Sequence, residues 1–220
     1  MELRRQGSAR ATQDLDLTYH GSDEDIVTAI EQSIAEAYGR FSFRRSGGVH
    51  EMAAANAIRI EIAVRFDGQA WGTIVVDVSR GEGSTLEVEM ITAFDIEAEF
   101  GITGPERLPC ISARYHLAHK LHGMTKPMPE GMTNERVQDA ADALLLREFI
   151  ADLPRVRDAC IDVFEGRGQQ TWPPVFDPPE SWSGAYETLA AELELNIRDL
   201  KTATIDLQGF INEIDAARGD

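Results

Sequence analysis

The chain has 220 residues, 43% of them hydrophobic, which is enough apolar material for one substantial core or two small domains. Its 38 Asp and Glu outnumber its 21 Lys and Arg, and a formal net charge of −17 argues against non-specific attraction to nucleic acid. No window is apolar for long enough to span a bilayer, the first residues lack the apolar stretch of a secretory signal, and two cysteines are too few for a disulfide scaffold. We therefore expect a globular, cytoplasmic protein with no membrane association.

The segment ARATQDLDLTYH, residues 9–20, predicts a strand that carries two acids. Asp14 and Asp16 stand two positions apart, and side chains at that spacing point to the same face of a strand. The conservative interpretation is a solvated polar face, which an acidic protein contains by default. The alternative is a pair of oxygen ligands for a divalent cation.

The segments that follow predict one helix and then several strands. Ser22 is a good N-cap for a helix that reaches Gly39, and its isoleucines recur at helical spacing. Residues 41–45 alternate as a strand does, and residues 57–79 read as two strands around Asp67-Gly68, a strong hairpin signal. Residues 85–94 alternate again. This half therefore predicts a strand, a helix and a mostly antiparallel group of strands.

From about Glu106 the pattern becomes helical. The predicted helical segments are residues 112–124, 134–153, 154–168, 184–195 and 196–217, with a proline-rich crossing before the last two. The sequence thus predicts an α+β domain over residues 1–105 followed by a helical domain over residues 106–220.

Asp77 interrupts a Val/Ile strand of the first half. An unpaired carboxylate that faced the core would cost free energy, so we expect Asp77 near a strand end that opens onto a site. With the two acids of the first strand, it could bind Mg²⁺, a hard cation that prefers oxygen ligands and substrate phosphates. The alternative is an aspartate bound to backbone amides.

The helical half offers one charged helix face and one isolated lysine. Arg136, Asp139 and Asp142 follow one another at steps of three and share a helix face, which could be only a surface ion-pair ladder. Lys120 lies between two leucines, where an ammonium could bind phosphate beside an apolar wall.

Three histidines on the lysine helix raise the question of a zinc site. His116, His119 and His122 also recur at steps of three, and each step turns about 300° around a helix. The three rings cannot converge tightly on one ion, and no cysteine is placed to complete a closed site. We therefore do not predict zinc.

Four segments together resemble a known family. RATQDLDL, VVDVSRGEG, LAHKLHGM and RVQDAADALLL are similar, in order and spacing, to the nucleotidyltransferase toxins of the AbiEii/AbiGii family from bacterial type IV toxin–antitoxin systems. The likeness covers roughly residues 9–150 and continues more loosely through PESWSGAYETLAAE. It implies a polymerase-beta-like mixed sheet and a C-terminal helical half that completes the active site.

The resemblance also implies a reaction and its participants. A nucleoside monophosphate would pass from an NTP to an acceptor hydroxyl with the help of Mg²⁺, and a cognate antitoxin protein would be a partner. Some relatives modify the 3′ end of tRNA, so the expected acceptor is tRNA or another RNA.

The family motifs imply roles for individual residues. Asp14 and Asp16 carry the metal-binding positions of the R-x-T-x-D-x-D segment, and Asp77 is the third metal ligand by its position within the general nucleotidyltransferase fold. Lys120 and Asp139 inherit catalytic roles. The residues that would bind the nucleotide are Arg10, Thr12 and Arg136.

One departure from the family pattern keeps two further interpretations open. Relatives carry a glycine-containing turn about a dozen residues before the paired acids, where backbone amides cradle the triphosphate. Gly7-Ser8 lies too close to Asp14 for that, so either the chain begins late or the loop is missing. A missing loop would favour a non-catalytic protein of the same fold that only binds a partner. A metal-dependent hydrolase that uses the same acids is a third possibility.

Overall fold

A computed structural model describes residues 4, 14–20, 26–53, 56–80, 87–93, 101 and 103–219, without the side chains of Asp14 and Arg80. The chain divides into two compact units. The sheet unit consists of Ala11–Leu86 and Ile91–Leu108. The helical unit consists of Met1–Arg10, Glu87–Met90 and Pro109–Asp220. The predicted boundary after residue 105 stays a prediction.

The sheet unit is built on a four-stranded mixed sheet. Its elements in chain order are β1 (Asp14–Tyr19), α1 (Ile26–Ser33), β2 (Phe41–Met52), β3 (Ala57–Phe66) and β4 (Gln69–Arg80). The strand order is β1-β4-β3-β2, in which β1 is parallel to β4 and the other neighbours are antiparallel. The predicted α+β class with a mixed sheet is confirmed.

The sheet has one apolar and one polar face because its strands alternate. Along β3 every second residue is buried. The buried isoleucines of this strand, Ile58, Ile60 and Ile62, pack with Val76 and Val78 of β4 and with Ile26 of α1. The residues between them, including Arg59 and Asp77, therefore lie on the opposite face. Asp77 sits three residues before the end of β4, within the strand rather than at its end.

The predicted hairpin is present and contains an irregularity. Asp67 and Gly68 both have positive φ, 49° and 76°, as a two-residue turn between twisted strands requires. Arg65 pairs with Ala70, but Val64 pairs with Gly72, so Trp71 is an extra residue of β4 in this register. This one-residue bulge shifts the register of all pairs beyond it.

Two elements of this half differ from the prediction. The predicted helix to Gly39 is wrong at its end, since α1 stops at Ser33; its predicted cap, Ser22, lies outside the described residues. The chain cannot continue as a helix because Tyr38 and Phe41 exchange backbone hydrogen bonds at the entry to β2. The strand predicted over residues 41–45 is longer and reaches Met52.

A strand was missed where we predicted that the helical half begins. β5 (Val88–Thr92) and β6 (Arg107–Ile111) form a two-stranded sheet. β6 has only five residues and contains Pro109, which cannot donate a ladder hydrogen bond and argues against a strand from sequence alone. This segment is a strand because it pairs with β5, from which 14 residues of the chain separate it.

The helical unit contains five of the described α-helices. They are α2 (Ala113–Thr125), α3 (Val137–Leu146), α4 (Leu153–Arg167), α5 (Ser183–Glu192) and α6 (Leu200–Ala216), with 3-10 turns at Arg147–Phe149 and Glu180–Trp182. All five contribute buried residues to one apolar core, and α2 packs on α3 and α4. In the part of the chain that the structure describes, none of the helices is long and apolar enough to cross a membrane.

Candidate active site

The helical unit brings one lysine and two aspartates together. Lys120 of α2 places its Nζ 2.9 Å from Oδ1 of Asp139 and 2.9 Å from Oδ2 of Asp142, both on α3. The acids share a face of α3 because they are three residues apart. The lysine side chain is 20% exposed and the two acids are 7% and 4% exposed. We call these three residues the lysine–aspartate cluster.

The charges of this cluster keep the lysine protonated. Burial alone would lower the pKa of Lys120, but the carboxylates of Asp139 and Asp142 outweigh that effect and hold its pKa above the usual value. One ammonium and two carboxylates leave a formal charge of −1. Arg136 approaches Asp139 Oδ2 at 3.6 Å, and its side chain is largely exposed, so it can also reach a solute.

Gly123 allows the two helices of the cluster to approach. It follows Lys120 by one turn of α2, and a Cβ added at this position would lie 2.6 Å from Oδ2 of Asp139. Any larger residue would therefore push the carboxylate away or separate the helices. No sequence motif marks this residue; a glycine inside an otherwise regular helical segment was the available signal.

Asn134 joins the end of α2 to the start of α3. Its side-chain amide donates to the backbone oxygen of Gly123 at 3.0 Å, and its Oδ1 accepts from the backbone nitrogen of Arg136 at 2.9 Å. Trp182 Nε1 in turn donates to the backbone oxygen of Asn134. Asn134 therefore helps to hold Lys120 and Asp139 in register. Nothing in its sequence context predicted this role.

The three histidines of α2 are uncharged at neutral pH. Burial, followed by the nearby Lys120, lowers the pKa of His116 to about 2. Burial, followed by Arg167, lowers the pKa of His119 and of His122 to about 4. His119 Nδ1 lies 2.8 Å from the Arg167 guanidinium, so this ring contacts a cation.

The second group of predicted residues lies on the polar face of the sheet. In the parallel register of β1 and β4, Asp16 stands opposite Asp77, and in the antiparallel register of β3 and β4, Asp77 stands opposite Arg59. Arg59 donates from Nε to Oδ1 of Asp77 and from Nη2 to Oδ2, both at 2.7 Å. We call the face with these three residues the acid face.

The other predicted residues of this group are only partly described. The backbone of Asp14 pairs with Val75 in β1, but its side chain lies outside the description. Arg10, Thr12 and Gly7-Ser8 lie outside the described residues altogether.

The acid face contains carboxylates, the type of ligand that Mg²⁺ prefers. Asp16 is exposed, and its in-register neighbour Asp77 provides a second carboxylate on the adjacent strand. Within the described ranges no group of three or more His, Cys, Asp or Glu residues is arranged to hold a metal ion. The predicted set of Asp14, Asp16 and Asp77 includes a side chain outside those ranges, and it stays a prediction.

Comparison with known proteins identifies relatives over nearly the whole chain. The family model described as the nucleotidyl transferase AbiEii toxin of type IV toxin–antitoxin systems matches residues 1–218. Among solved structures, the chain is similar to MenT4, a nucleotidyltransferase toxin from Mycobacterium tuberculosis, with a TM-score of 0.57 and 17% identity. That alignment covers 94% of this chain and 70% of MenT4, and it shows a shared fold. No curated protein sequence matches the chain.

Proposed function

The chain belongs to the AbiEii family of nucleotidyltransferase toxins of type IV toxin–antitoxin systems, and we propose that it transfers a nucleoside monophosphate from an NTP to the hydroxyl of an RNA. Three further parts of the proposal rest on the sequence and on its resemblance to this family: dependence on Mg²⁺, a cytoplasmic location, and a cognate antitoxin protein as a binding partner. The observation that carries the proposal is the lysine–aspartate cluster.

Lys120 is suited to neutralise charge on the triphosphate. During transfer, the acceptor oxygen forms a bond to the α-phosphorus and pyrophosphate leaves, so negative charge develops on the leaving group. A protonated amine with restricted rotation stabilises such charge with little reorganisation. Asp139 and Asp142 keep Lys120 charged and hold its Nζ in place. We assign Asp139 the role of positioning Lys120 or the acceptor.

Other residues complete the proposed binding of the nucleotide and metal. Asp14 and Asp16 would hold Mg²⁺, which when bound neutralises phosphate charge and lowers the pKa of a coordinated hydroxyl. Arg136 is exposed enough to contact a phosphate. We extend the same nucleotide-binding role to Arg10 and Thr12.

The acceptor is proposed to be RNA, with the 3′ end of tRNA as the first candidate. A chain with a net charge of −17 repels the phosphates of RNA at a distance, so the contacts have to be local. We therefore expect binding that is weak at high ionic strength and confined to a short segment of the RNA.

The proposal is tested by labelling. Total RNA, Mg²⁺ and each of the four α-labelled NTPs are incubated with the wild type, with Lys120→Met and with Lys201→Met, a matched control at an exposed lysine of α6. We expect label in RNA with the wild type and the control, and little with Lys120→Met. Label in protein instead of RNA would contradict the RNA acceptor, shortened RNA would indicate a hydrolase, and no label with any NTP would contradict the transferase.

A further inference from the structure

The acid face contains a cation that the sequence analysis did not single out. Both carboxylate oxygens of Asp77 accept a hydrogen bond from the same guanidinium, that of Arg59. The Asp77 side chain is 17% exposed, whereas the Arg59 side chain is 44% exposed. The carboxylate is thus the more buried of the two groups, and the guanidinium is accessible to a solute.

This pairing changes the charge that the face offers to a metal ion. Arg59 stays protonated at every pH at which proteins fold, so the Arg59–Asp77 pair is neutral as a unit. A Mg²⁺ ion bound by Asp77 would have to share carboxylate oxygens with a guanidinium that already binds both in a planar fork. This competition makes Asp77 a poor ligand for a metal ion.

The pairing also places a phosphate-binding group beside those acids. Asp16 and Arg59 both stand opposite Asp77, one on each neighbouring strand, and the three side chains share one face. A guanidinium is planar and weakly hydrated and matches the geometry of phosphate oxygens. The carboxylate of Asp77 restricts the rotation of the Arg59 guanidinium, which reduces the entropy lost when a phosphate binds.

We propose that Arg59 binds the phosphates of the nucleotide on the acid face, and that Asp77 is a positioning residue for Arg59 rather than a third metal ligand. This inference rests on the proposed function, because it requires an NTP as the substrate. It divides the work of charge neutralisation on this face between a metal held by the D-x-D acids and one fixed guanidinium.

Binding of non-hydrolysable nucleotides tests the first half. Affinities for the four α,β-methylene NTPs with Mn²⁺ are measured by calorimetry for the wild type, Arg59→Met, Asp77→Asn and the double variant. Arg59→Met should weaken binding about 10- to 100-fold, the scale of a lost hydrogen bond to a charged group. Asp77→Asn should weaken it less, and the double variant should bind as Arg59→Met does, because Asp77 acts through Arg59.

Arg65 provides the matched control. It lies on the same face of β3, its guanidinium donates to the backbone oxygen of Gly68, and it is exposed. Arg65→Met should keep the wild-type affinity. An equal loss in Arg65→Met and Arg59→Met would reduce the effect to general electrostatics and overturn the assignment.

Metal binding without nucleotide tests the second half. The double variant Arg59→Met/Asp77→Asn removes one positive and one negative charge, so it should keep the Mn²⁺ affinity of the wild type within about threefold by electron paramagnetic resonance. Asp16→Asn is the reference for loss of a ligand. A loss in the double variant as large as that in Asp16→Asn would show that Asp77 is a metal ligand.

Failure of this inference is distinguishable from failure of the proposed function. If wild type transfers label to RNA and Arg59→Met binds the analogues as tightly as the wild type, the transferase stands and the role of Arg59 falls. If wild type binds none of the analogues and transfers no label, the proposed function falls and takes this inference with it. Arg59→Lys serves as a second variant where Arg59→Met does not fold; it keeps the charge without the fork and should bind more weakly than wild type.

Discussion

The lysine–aspartate cluster and the acid face each set a cation against carboxylates, but they do so in different surroundings. The side chain of Lys120 is 20% exposed and lies between two acids that are almost fully buried. The side chain of Arg59 is 44% exposed and pairs with one partly buried acid, Asp77. Breaking a buried pair leaves an uncompensated charge in the interior and costs about 3–5 kcal/mol, whereas an exposed pair contributes about 0–1 kcal/mol. The first group is therefore part of what holds the fold together, and the second can change with little effect on stability.

The largest expected effect is at the lysine. Lys120→Met should lower transfer by about 10²–10³-fold, the scale of losing one electrostatic stabiliser. It should also lower the free energy of unfolding by about 3–5 kcal/mol at pH 7, because Asp139 and Asp142 lose their cation. Initial rates and denaturant melts measure the two effects. Lys120→Arg should restore stability more than rate. Unchanged rates in both variants would remove Lys120 from the active site.

A smaller effect is expected when the approach of α2 and α3 is blocked. In Gly123→Ala the new Cβ would lie 2.6 Å from Asp139 Oδ2, so the carboxylate must move. We expect transfer to fall about 10- to 100-fold, as for other small misplacements of a catalytic group. The free energy of unfolding should fall by no more than about 2 kcal/mol, because an overpacking cost of about 1–3 kcal/mol is partly offset by about 1 kcal/mol of helix propensity.

Gly209→Ala is the control for that experiment. Gly209 lies inside α6, and a Cβ there meets nothing within 4 Å. The variant should be more stable than the wild type by about 1 kcal/mol and equally active. Equal activity of Gly123→Ala and Gly209→Ala would show that Asp139 tolerates displacement.

Acid should weaken the helical unit through His122. Its pKa in the folded protein is about 4, lowered first by burial, while the unfolded chain has the ordinary value of about 6.5. Between these values the unfolded state binds the extra proton, so stability is present above pH 6.5 and falls as pH drops to 4, by about 1.4 kcal/mol per pH unit. His122→Phe should remove the contribution of His122 to this slope in melts at pH 4–7, whereas His116 and His119, whose pKa values are also lowered, keep theirs. A slope unchanged from wild type would contradict the assignment; exposed His20→Gln is the control.

The smallest effect is expected on the acid face. The double variant Arg59→Met/Asp77→Asn should unfold within about 1 kcal/mol of the wild type, since the pair is partly exposed and the change is neutral in charge. Its melting curve at low and high salt measures this. A loss of several kcal/mol would mean that the pair behaves like the lysine–aspartate cluster, and the contrast between the two groups would disappear.

The sequence predicted most elements because their signals are local. Alternation over residues 57–79, the Asp67-Gly68 turn and the helical periodicity after residue 112 all depend on neighbours within a few positions, and the structure confirms them. The same kind of signal placed Asp139 and Asp142 on one helix face. It could not show β6, whose five residues become a strand only by pairing with β5.

Local sequence patterns could not predict which residues the site residues contact. A regular two-residue hairpin with Phe66 opposite Gln69 would place Asp77 opposite Ile58, on the apolar side. The bulge at Trp71 shifts the register by one residue and sets Asp77 opposite Arg59 instead. No periodicity within either strand shows where the extra residue is accommodated.

The sequence by itself determined which residues share a face in the strands and helices that it predicted, the acidic character of the chain, and the motifs that place it in its family. Only the tertiary structure decided which partner each charged side chain contacts. Lys120 contacts two acids across a helix–helix contact that Gly123 permits, and Asp77 contacts an arginine on the next strand. The physical reason is that the face of a strand or helix to which a side chain points follows from backbone geometry over a few residues. Pairing depends on strand register and helix approach, which are set by packing between segments that are distant along the chain.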